Sequence, residues 1–284
     1  MREASAWIIL KPRSTWSGRA RCRLILKPCL TSFEGANAVI TLLTPDWPAP
    51  PGIRAASTLR GRIGSQGPYQ GLNLGAHVGD DPAQVRENRE QLMRHLGLPR
   101  PPAWLDQVHG TACVKAHPDH LATADASFTD QTGVACVVMT ADCLPVLFTT
   151  RDGQRLAAAH AGWKGLAGGV LEATLATLET LDVLVWLGPA IGPKAFEVGP
   201  EVRDAFLHRH PDAGKAFSNP HKDRYHADLY GLARSLLTQA GVPAEAIYGG
   251  GRCTFLEADA FFSYRRDRTT GRMASLIWRE QESS

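Results

Sequence analysis

Two strand-sized apolar runs separated by a single acid constrain this chain most. Residues 133–139 (Gly-Val-Ala-Cys-Val-Val-Met) and 144–148 (Leu-Pro-Val-Leu-Phe) flank the short link Thr140-Ala-Asp142-Cys143. Apolar runs of this length with no polar face read as strands buried on both sides, as in a sheet with layers packed on each face. A carboxylate between two such strands needs a partner or a functional site, because an unpaired buried charge is costly. Asp142 and its neighbour Cys143 therefore become the first residues to account for.

The rest of the body alternates strands with helices. Asp81-Pro82 opens a helix, with an acid as cap and proline in the first turn. Val85, Leu92, Met93 and Leu96 then supply an apolar stripe that ends at Gly97. Residues 155–160 read as a strand, 165–181 as a helix carrying Leu171, Leu175 and Leu178, and 183–187 as a strand ending at Gly188-Pro189. Residues 228–240 read as a helix stopped by Gly241, and 261–278 as paired strands turning at Thr270-Gly271. There is no repeat and no low-complexity linker, so one domain of mixed α and β content is the expectation for 41–280.

Residues 1–40 differ from that body. Seven Lys or Arg stand against two Glu there, a surplus of five. The whole chain carries +3, so the remainder is at −2 and offers no excess positive charge for nucleic acid. The basic extension reads as a disordered tail or an early start, with an organelle transit peptide, which shares its Arg and Ser bias, and an added structural element as the competing readings. No apolar run approaches the roughly 20 residues of a membrane span. The six cysteines are scattered without a CxxC pair, which reads as reduced, cytoplasmic usage.

Three marked sites carry the chemistry: Leu72-Asn-Leu-Gly-Ala-His77-Val-Gly-Asp-Asp, Thr140-Ala-Asp-Cys143-Leu-Pro and Ala157-Ala-Ala-His160-Ala-Gly-Trp-Lys-Gly. A thiolate and two imidazoles form a three-ligand zinc set with one position left for water or substrate. His77, Cys143 and His160 are the candidate ligands, although their spacing alone does not bring them together. A helix starting at Gly165 would point free N–H groups toward an anion. Asp142 and His109, the latter in Gln107-Val-His109-Gly, are candidates for orientation or proton transfer. Asn73 and Gln107 are candidate substrate contacts. Lys164 and Arg265 are candidate phosphate contacts, since cationic side chains suit phosphate and the neighbouring Trp163 and Tyr264 suit stacking on a base.

Six blocks together resemble one family. They are Asn73-Leu-Gly-Ala-His77-Val-Gly-Asp, Trp104-Leu-Asp-Gln-Val-His109-Gly, Thr140-Ala-Asp-Cys143-Leu-Pro-Val, His160-Ala-Gly-Trp-Lys-Gly165, Leu187-Gly-Pro-Ala-Ile-Gly-Pro193 and Phe262-Ser-Tyr-Arg-Arg-Asp267. In order and content they are similar to the bacterial purine nucleoside phosphorylases once labelled laccase-domain or polyphenol oxidase proteins. The resemblance covers residues 40–279. It implies an α+β fold, a single layered domain with mixed β-sheets and flanking helices. It implies a zinc ion on His77, Cys143 and His160. It further implies phosphorolysis of adenosine, inosine and methylthioadenosine, with hydrolytic deamination of adenosine beside it. The implied partners are a purine nucleoside and phosphate, with no nucleic acid or membrane, and the chain would be a monomer or homodimer. One stretch departs from the family pattern. Ser57-Thr-Leu-Arg60 stands where the family has Ser-Thr-Arg-x-Gly-Gly.

Two other chemistries compete, and a non-enzymatic binding module is a third rival, against which the Cys, His, Asp and Arg gathered in glycine-rich turns argue. A metal-free cysteine hydrolase or amidase, of the kind that edits cell-wall precursors, would use Cys143 as nucleophile and His160 as base. A copper-dependent phenol oxidase would need several His-x-His pairs, and the chain has one, His208-Arg-His210.

Overall fold

The computed structural model describes residues 40–281. The basic extension lies outside the described residues except for Ile40. The chain runs β1 (Leu42–Leu43), β2 (Ile53–Thr58), α1 (Pro82–His95), β3 (Leu105–Asp106), β4 (Cys113–Lys115), β5 (Ala122–Thr123), β6 (Ala126–Thr129), β7 (Cys136–Thr140), β8 (Leu144–Thr150), β9 (Leu156–Ala161), α2 (Trp163–Gly168), α3 (Val170–Leu178), β10 (Val183–Leu187), β11 (Glu197–Val198), α4 (Pro200–Arg209), β12 (Phe217–His221), β13 (Arg224–Ala227), α5 (Leu229–Gln239), β14 (Ile247–Gly249), α6 (Tyr264–Asp267) and β15 (Met273–Arg279).

Two sheets dominate. One is antiparallel with order β1-β2-β15-β7. The other is mixed with order β14-β10-β8-β9-β6-β4, its two outermost pairs parallel and its inner pairs antiparallel. The architecture is α+β, as the resemblance implied.

The buried strands owe their lack of a polar face to this stacking. Successive side chains of a strand point to opposite faces. In β7, Cys136 and Val138 enter the seam between the two sheets, while Val137 faces outward beneath α1 with Leu92 and Leu276. In β8, Leu147 enters the same seam, while Val146 and Phe148 face the α2, α3 and α5 side beside Leu171 and Leu232. In β9, Ala158 points one way and Ala157 and Ala159 the other. Both faces of each strand therefore meet an apolar layer, which is why 136–140 and 144–150 carry almost no polar side chains.

Two expectations are corrected. The helix read over 165–181 starts earlier, at Trp163, and breaks at Gly169, where φ is +107°. A side chain is strained in that conformation, and a Cβ there would also meet the Arg209 guanidinium at 3.0 Å. Arg209 occupies the break, donating to the carbonyl oxygens of Ala167 and Gly168. The hairpin read over 261–278 is instead α6 followed by a single strand, β15, which pairs with β2 and β7. Ser263 caps α6 by accepting from the Arg266 N–H, and the Arg266 guanidinium donates to the carbonyls of Thr254, Phe255 and Phe261. Those bonds hold the segment against the loop that follows β14 and leave it no strand partner.

The seam between the sheets offers a direct test. Ile277 is fully buried there. Ile277→Ala should lower the free energy of unfolding by about 2–5 kcal/mol in urea melts, as deletion from a close-packed core does. A loss below about 1 kcal/mol would mean the sheets are not close-packed at that point.

Candidate metal centre

The site forms where β6, β8 and β9 end together. Ala126 pairs with Ala159 and Pro145 with His160, so Asp125, Cys143 and His160 arrive at one end of the mixed sheet. The His160 N–H donates to the Asp125 carbonyl at 2.7 Å, closing the register at that point.

Asp125 organises the rest. Its side chain is fully buried, and its Oδ1 lies 2.8 Å from His160 Nδ1. The same carboxylate accepts the backbone N–H groups of Val108, His109 and Gly110, at 3.2, 2.9 and 2.6 Å. These bonds draw the loop after β3 over the sheet and hold His109 at a φ of +60°, an uncommon conformation for a side-chain-bearing residue. Burial alone would raise the Asp125 carboxyl, but the hydrogen bonds from His160 and Gly110 outweigh it and hold its pKa below the ordinary value.

His109, Cys143 and His160 therefore meet. Their donor atoms all lie within 4.8 Å of one another, and no other His, Cys, Asp or Glu group among the described residues is so placed. Cys143 Sγ is 3.8 Å from His109 Nε2, and the two imidazoles make an edge contact at 4.8 Å between ring centres. Burial works against a charged thiol at Cys143, yet the charge of His160 and hydrogen bonds from His109 and His160 bring it down to about 6. Burial likewise opposes charge on His160, and Cys143 and Asp125 overcome that and raise it to about 9. Each group thus favours the charged form of the other.

The donor set suits a zinc-type ion. Zinc–sulfur and zinc–nitrogen bonds of about 2.3 and 2.0 Å at a tetrahedral angle set sulfur and nitrogen about 3.5 Å apart, close to the 3.8 Å between Cys143 and His109. With Nδ1 bound to Asp125, His160 presents Nε2, the carboxylate–histidine arrangement that fixes ring and tautomer at metal sites.

Room for this cluster depends on Gly162. A Cβ there would lie 2.8 Å from His109 Cδ2 and 3.0 Å from Cys143 Sγ.

The fold separates the sequence candidates. Cys143 and His160 come together, as their spacing could not show. His109, read as a catalytic candidate, is the third donor of the compact group. His77 lies exposed in the turn before α1 and is not a member of that group. It remains within electrostatic reach, because burial first, then Arg272 and Arg89, and also His160, lower its pKa. Asp142 is buried at a φ of +102°. Both its oxygens are engaged, one with Thr254 Oγ1 and one with the Arg265 N–H, each at 2.6 Å. That suits orientation of the Cys143 turn and leaves no carboxylate oxygen without a donor.

Asn73 is engaged within the protein through its amide. It is fully buried, donating to Asp80 and accepting from the N–H groups of Gly75 and Arg272, so its amide ties the His77 loop to the approach of β15. Both ends of the Gln107 amide are bound to the Met139 backbone, at 2.8 Å each. Lys164 is exposed, with its ammonium 5.7 Å from the Trp163 ring centre. Arg265 walls a pocket of about 140 Å3 with Asp142, Cys143, Trp163, Phe196 and Tyr264. A wider, mostly apolar groove of about 730 Å3 follows α1 past Trp104 and Arg89, and none of the three donors lines it.

Sequence reasoning missed Asp125. The signal for Asp125 was present: a lone acid in Ala122-Thr-Ala-Asp125-Ala-Ser-Phe raises the same question as Asp142.

The family model described as multi-copper polyphenol oxidoreductase laccase matches residues 54–280. A Pseudomonas aeruginosa protein named purine nucleoside phosphorylase PA4543 is 56% identical over 241 residues, covering 83% of this chain and 97% of its own length. The chain belongs to the YfiH-like purine nucleoside phosphorylase family. Purine nucleoside phosphorylase YfiH of Escherichia coli is 53% identical, covering 84% of this chain and 98% of its own. Among solved structures, Neisseria meningitidis NMB0706 superposes with a TM-score of 0.81 at 52% identity, covering 84% of this chain and 99% of that one. YlmD of Geobacillus stearothermophilus gives 0.80 at 33% identity, covering 89% and 100%.

Two outcomes are expected at this centre. In chelator-stripped protein, the iodoacetamide reactivity of Cys143, followed by peptide mass spectrometry, should rise through a midpoint near pH 6. The sign follows from the lowered value: the thiolate is lost as pH falls through it. His160→Gln should move the midpoint up, toward the ordinary thiol range of about 8.5. Separately, Gly162→Ala should weaken zinc binding by about tenfold or more in a competitive chelator titration, comparable to disturbing the support of a metal ligand. Unaltered affinity would mean the three donors do not form the metal cradle.

Proposed function

We propose that this chain is a zinc-dependent purine nucleoside phosphorylase acting on adenosine, inosine and methylthioadenosine, with deamination of adenosine as a second activity. One observation carries the reading: a thiolate and two imidazoles converge in a chain that matches relatives named purine nucleoside phosphorylase over nearly their whole length. Cys143 and His160 would hold the ion. His109 is the third donor by geometry, and His77 the third by resemblance. When bound, zinc supplies a Lewis acid and lowers the pKa of water.

In phosphorolysis a phosphate oxygen forms a bond to C1′ as the bond from C1′ to N9 breaks. The bonding pair leaves with the purine, and the proton lost by phosphate ends on the base. The pocket beside Cys143 has Trp163, Phe196 and Tyr264 in its walls, aromatic faces suited to a purine. Asp125 fixes His160, and Asp142 fixes the turn that carries Cys143 and the start of α6. The substrates are small molecules, with no nucleic acid or membrane partner. Among the described residues no helix is long and apolar enough to cross a membrane. We assign the protein to the cytoplasm, as a monomer or homodimer.

A second reading is favoured by one arrangement. Cys143, His160 and Asp125 stand in the order of nucleophile, base and orienting acid, with the thiol lowered to about 6. A metal-free cysteine hydrolase would use that order. A copper-dependent phenol oxidase has less support, since one three-donor group is present among the described residues.

One experiment separates these readings. Metal-analysed protein is incubated with adenosine and inosine, with and without phosphate, before and after chelation, and the products are resolved by chromatography. The expected result is phosphate-dependent release of free base and ribose 1-phosphate that chelation abolishes and zinc restores. Turnover that survives chelation, with a covalent adduct on Cys143, would replace this reading with the hydrolase, and phenol oxidation that tracks copper content would replace it with the oxidase.

A further inference from the structure

An enzyme that cleaves nucleosides with phosphate must hold an anion beside the reacting sugar. The two cations nominated from the sequence are poorly disposed for it. Lys164 is exposed beyond Trp163. The guanidinium of Arg265 donates to the Glu197 carbonyl at 2.8 Å and lies over the Phe196 ring. Arg89 is also committed, with Nε on the Leu74 carbonyl and its plane 3.9 Å from the centre of the Trp104 ring.

Arg272 is different. Its side chain is half-buried just before β15 and packs against the backbone of Gly75, where a Cβ would come within 2.7 Å of its Cγ. Nη1 donates to the carbonyls of Thr270 and Gly271, both at 3.0 Å, which fixes the guanidinium. The other edge of the fork makes no hydrogen bond to a described residue, and no carboxylate pairs with it among them. The guanidinium carbon lies 5.9 Å from the centre of the Tyr264 ring, and Tyr264 walls the same pocket as Cys143.

The electrostatics agree with the geometry. Burial weighs against charge on Arg272, while the charges of Cys143 and Asp142 favour it. Asp142 accepts its hydrogen bonds from the Thr254 hydroxyl and the Arg265 backbone N–H, so it favours the charge of Arg272 from a distance without pairing with it. A partly desolvated guanidinium with one edge unbonded favours an anionic partner.

We propose that Arg272 is the anion-binding residue of this site and receives the phosphate co-substrate beside Tyr264, at the mouth of the Cys143 pocket. The inference rests on the phosphorolytic reading for its biological sense. Arg272 transfers no proton. It holds the charge of phosphate while a phosphate oxygen bonds to C1′, the C1′–N9 pair departs with the purine, and the phosphate proton passes to the base.

The test compares zinc-loaded wild type with Arg272→Gln, Arg272→Lys and Arg268→Gln. Arg268 also lies over the Tyr264 ring, at 5.7 Å, but is exposed and serves as the control. Arg272→Gln should raise KM for phosphate by about tenfold or more, the scale of one charged hydrogen bond, and leave KM for nucleoside within about threefold. Arg272→Lys, which keeps the charge, should fall between, and Arg268→Gln should match wild type. Inorganic phosphate alone should raise the melting temperature of wild type and not of Arg272→Gln. If Arg272→Gln retains the wild-type phosphate KM and melting shift, Arg272 is not the anion site. If wild type shows no phosphate-dependent cleavage, the phosphorolytic reading fails, and the melting shifts still decide whether Arg272 binds the anion. Should Arg272→Gln fail to fold, Arg272→Lys decides, with an unchanged phosphate KM and melting shift counting against the assignment.

Discussion

The carboxylate of Asp125 is the point on which the site depends. It sits fully buried at the start of β6, and it would be costly there without donors. Four reach it: the His160 ring and three consecutive backbone N–H groups around His109. One side chain thus closes a loop, imposes a left-handed backbone on His109 and orients a second imidazole. Deleting it would leave three loop N–H groups and a ring nitrogen to find water in a packed interior. The group is for this reason a structural element before it is a chemical one.

Asp142 does similar work from the other side. Its backbone is held at positive φ between β7 and β8, and its carbonyl accepts the Ile191 N–H at 2.8 Å. Its carboxylate joins the hydroxyl of Thr254 to the backbone of Arg265 at the start of α6. Local strain of this kind persists only where surrounding bonds over-determine it. Here those bonds come from three separate segments, remote in sequence, so the position of Cys143 is set by the whole fold.

This division accounts for what the sequence could reveal. The strands around 136–140 and 144–150 are legible because a short run that is apolar on both faces fits a strand covered on both sides and little else. Asp142 is legible because it interrupts them. The break at Gly169 is not, because the apolar stripe runs on through Leu166, Leu171, Leu175 and Leu178 as though the helix were continuous, and the left-handed turn shows only in three dimensions. The single strand at 273–279 reads as half of a hairpin because its true partners lie more than 100 residues away in β2 and β7. At the site, the types of residue are readable and their company is not. No local pattern indicates that β6 pairs with β9, and that pairing alone sets Asp125 beside His160 and draws His109, rather than His77, into the compact group.

The electrostatics of the triad then bear on how a metal would enter. His160 lowers the Cys143 thiol and Cys143 raises the His160 imidazole, each favouring the charged form of the other. A metal site of this kind takes a thiolate and a neutral imidazole. The neighbouring groups shift Cys143 toward that condition and His160 away from it. An ion held here would compete with a proton for His160 Nε2, while Asp125, which accepts from Nδ1, keeps that nitrogen protonated. The same carboxylate that stabilises the charged ring without metal fixes the tautomer needed with it. A single buried acid thus serves both forms of the ring.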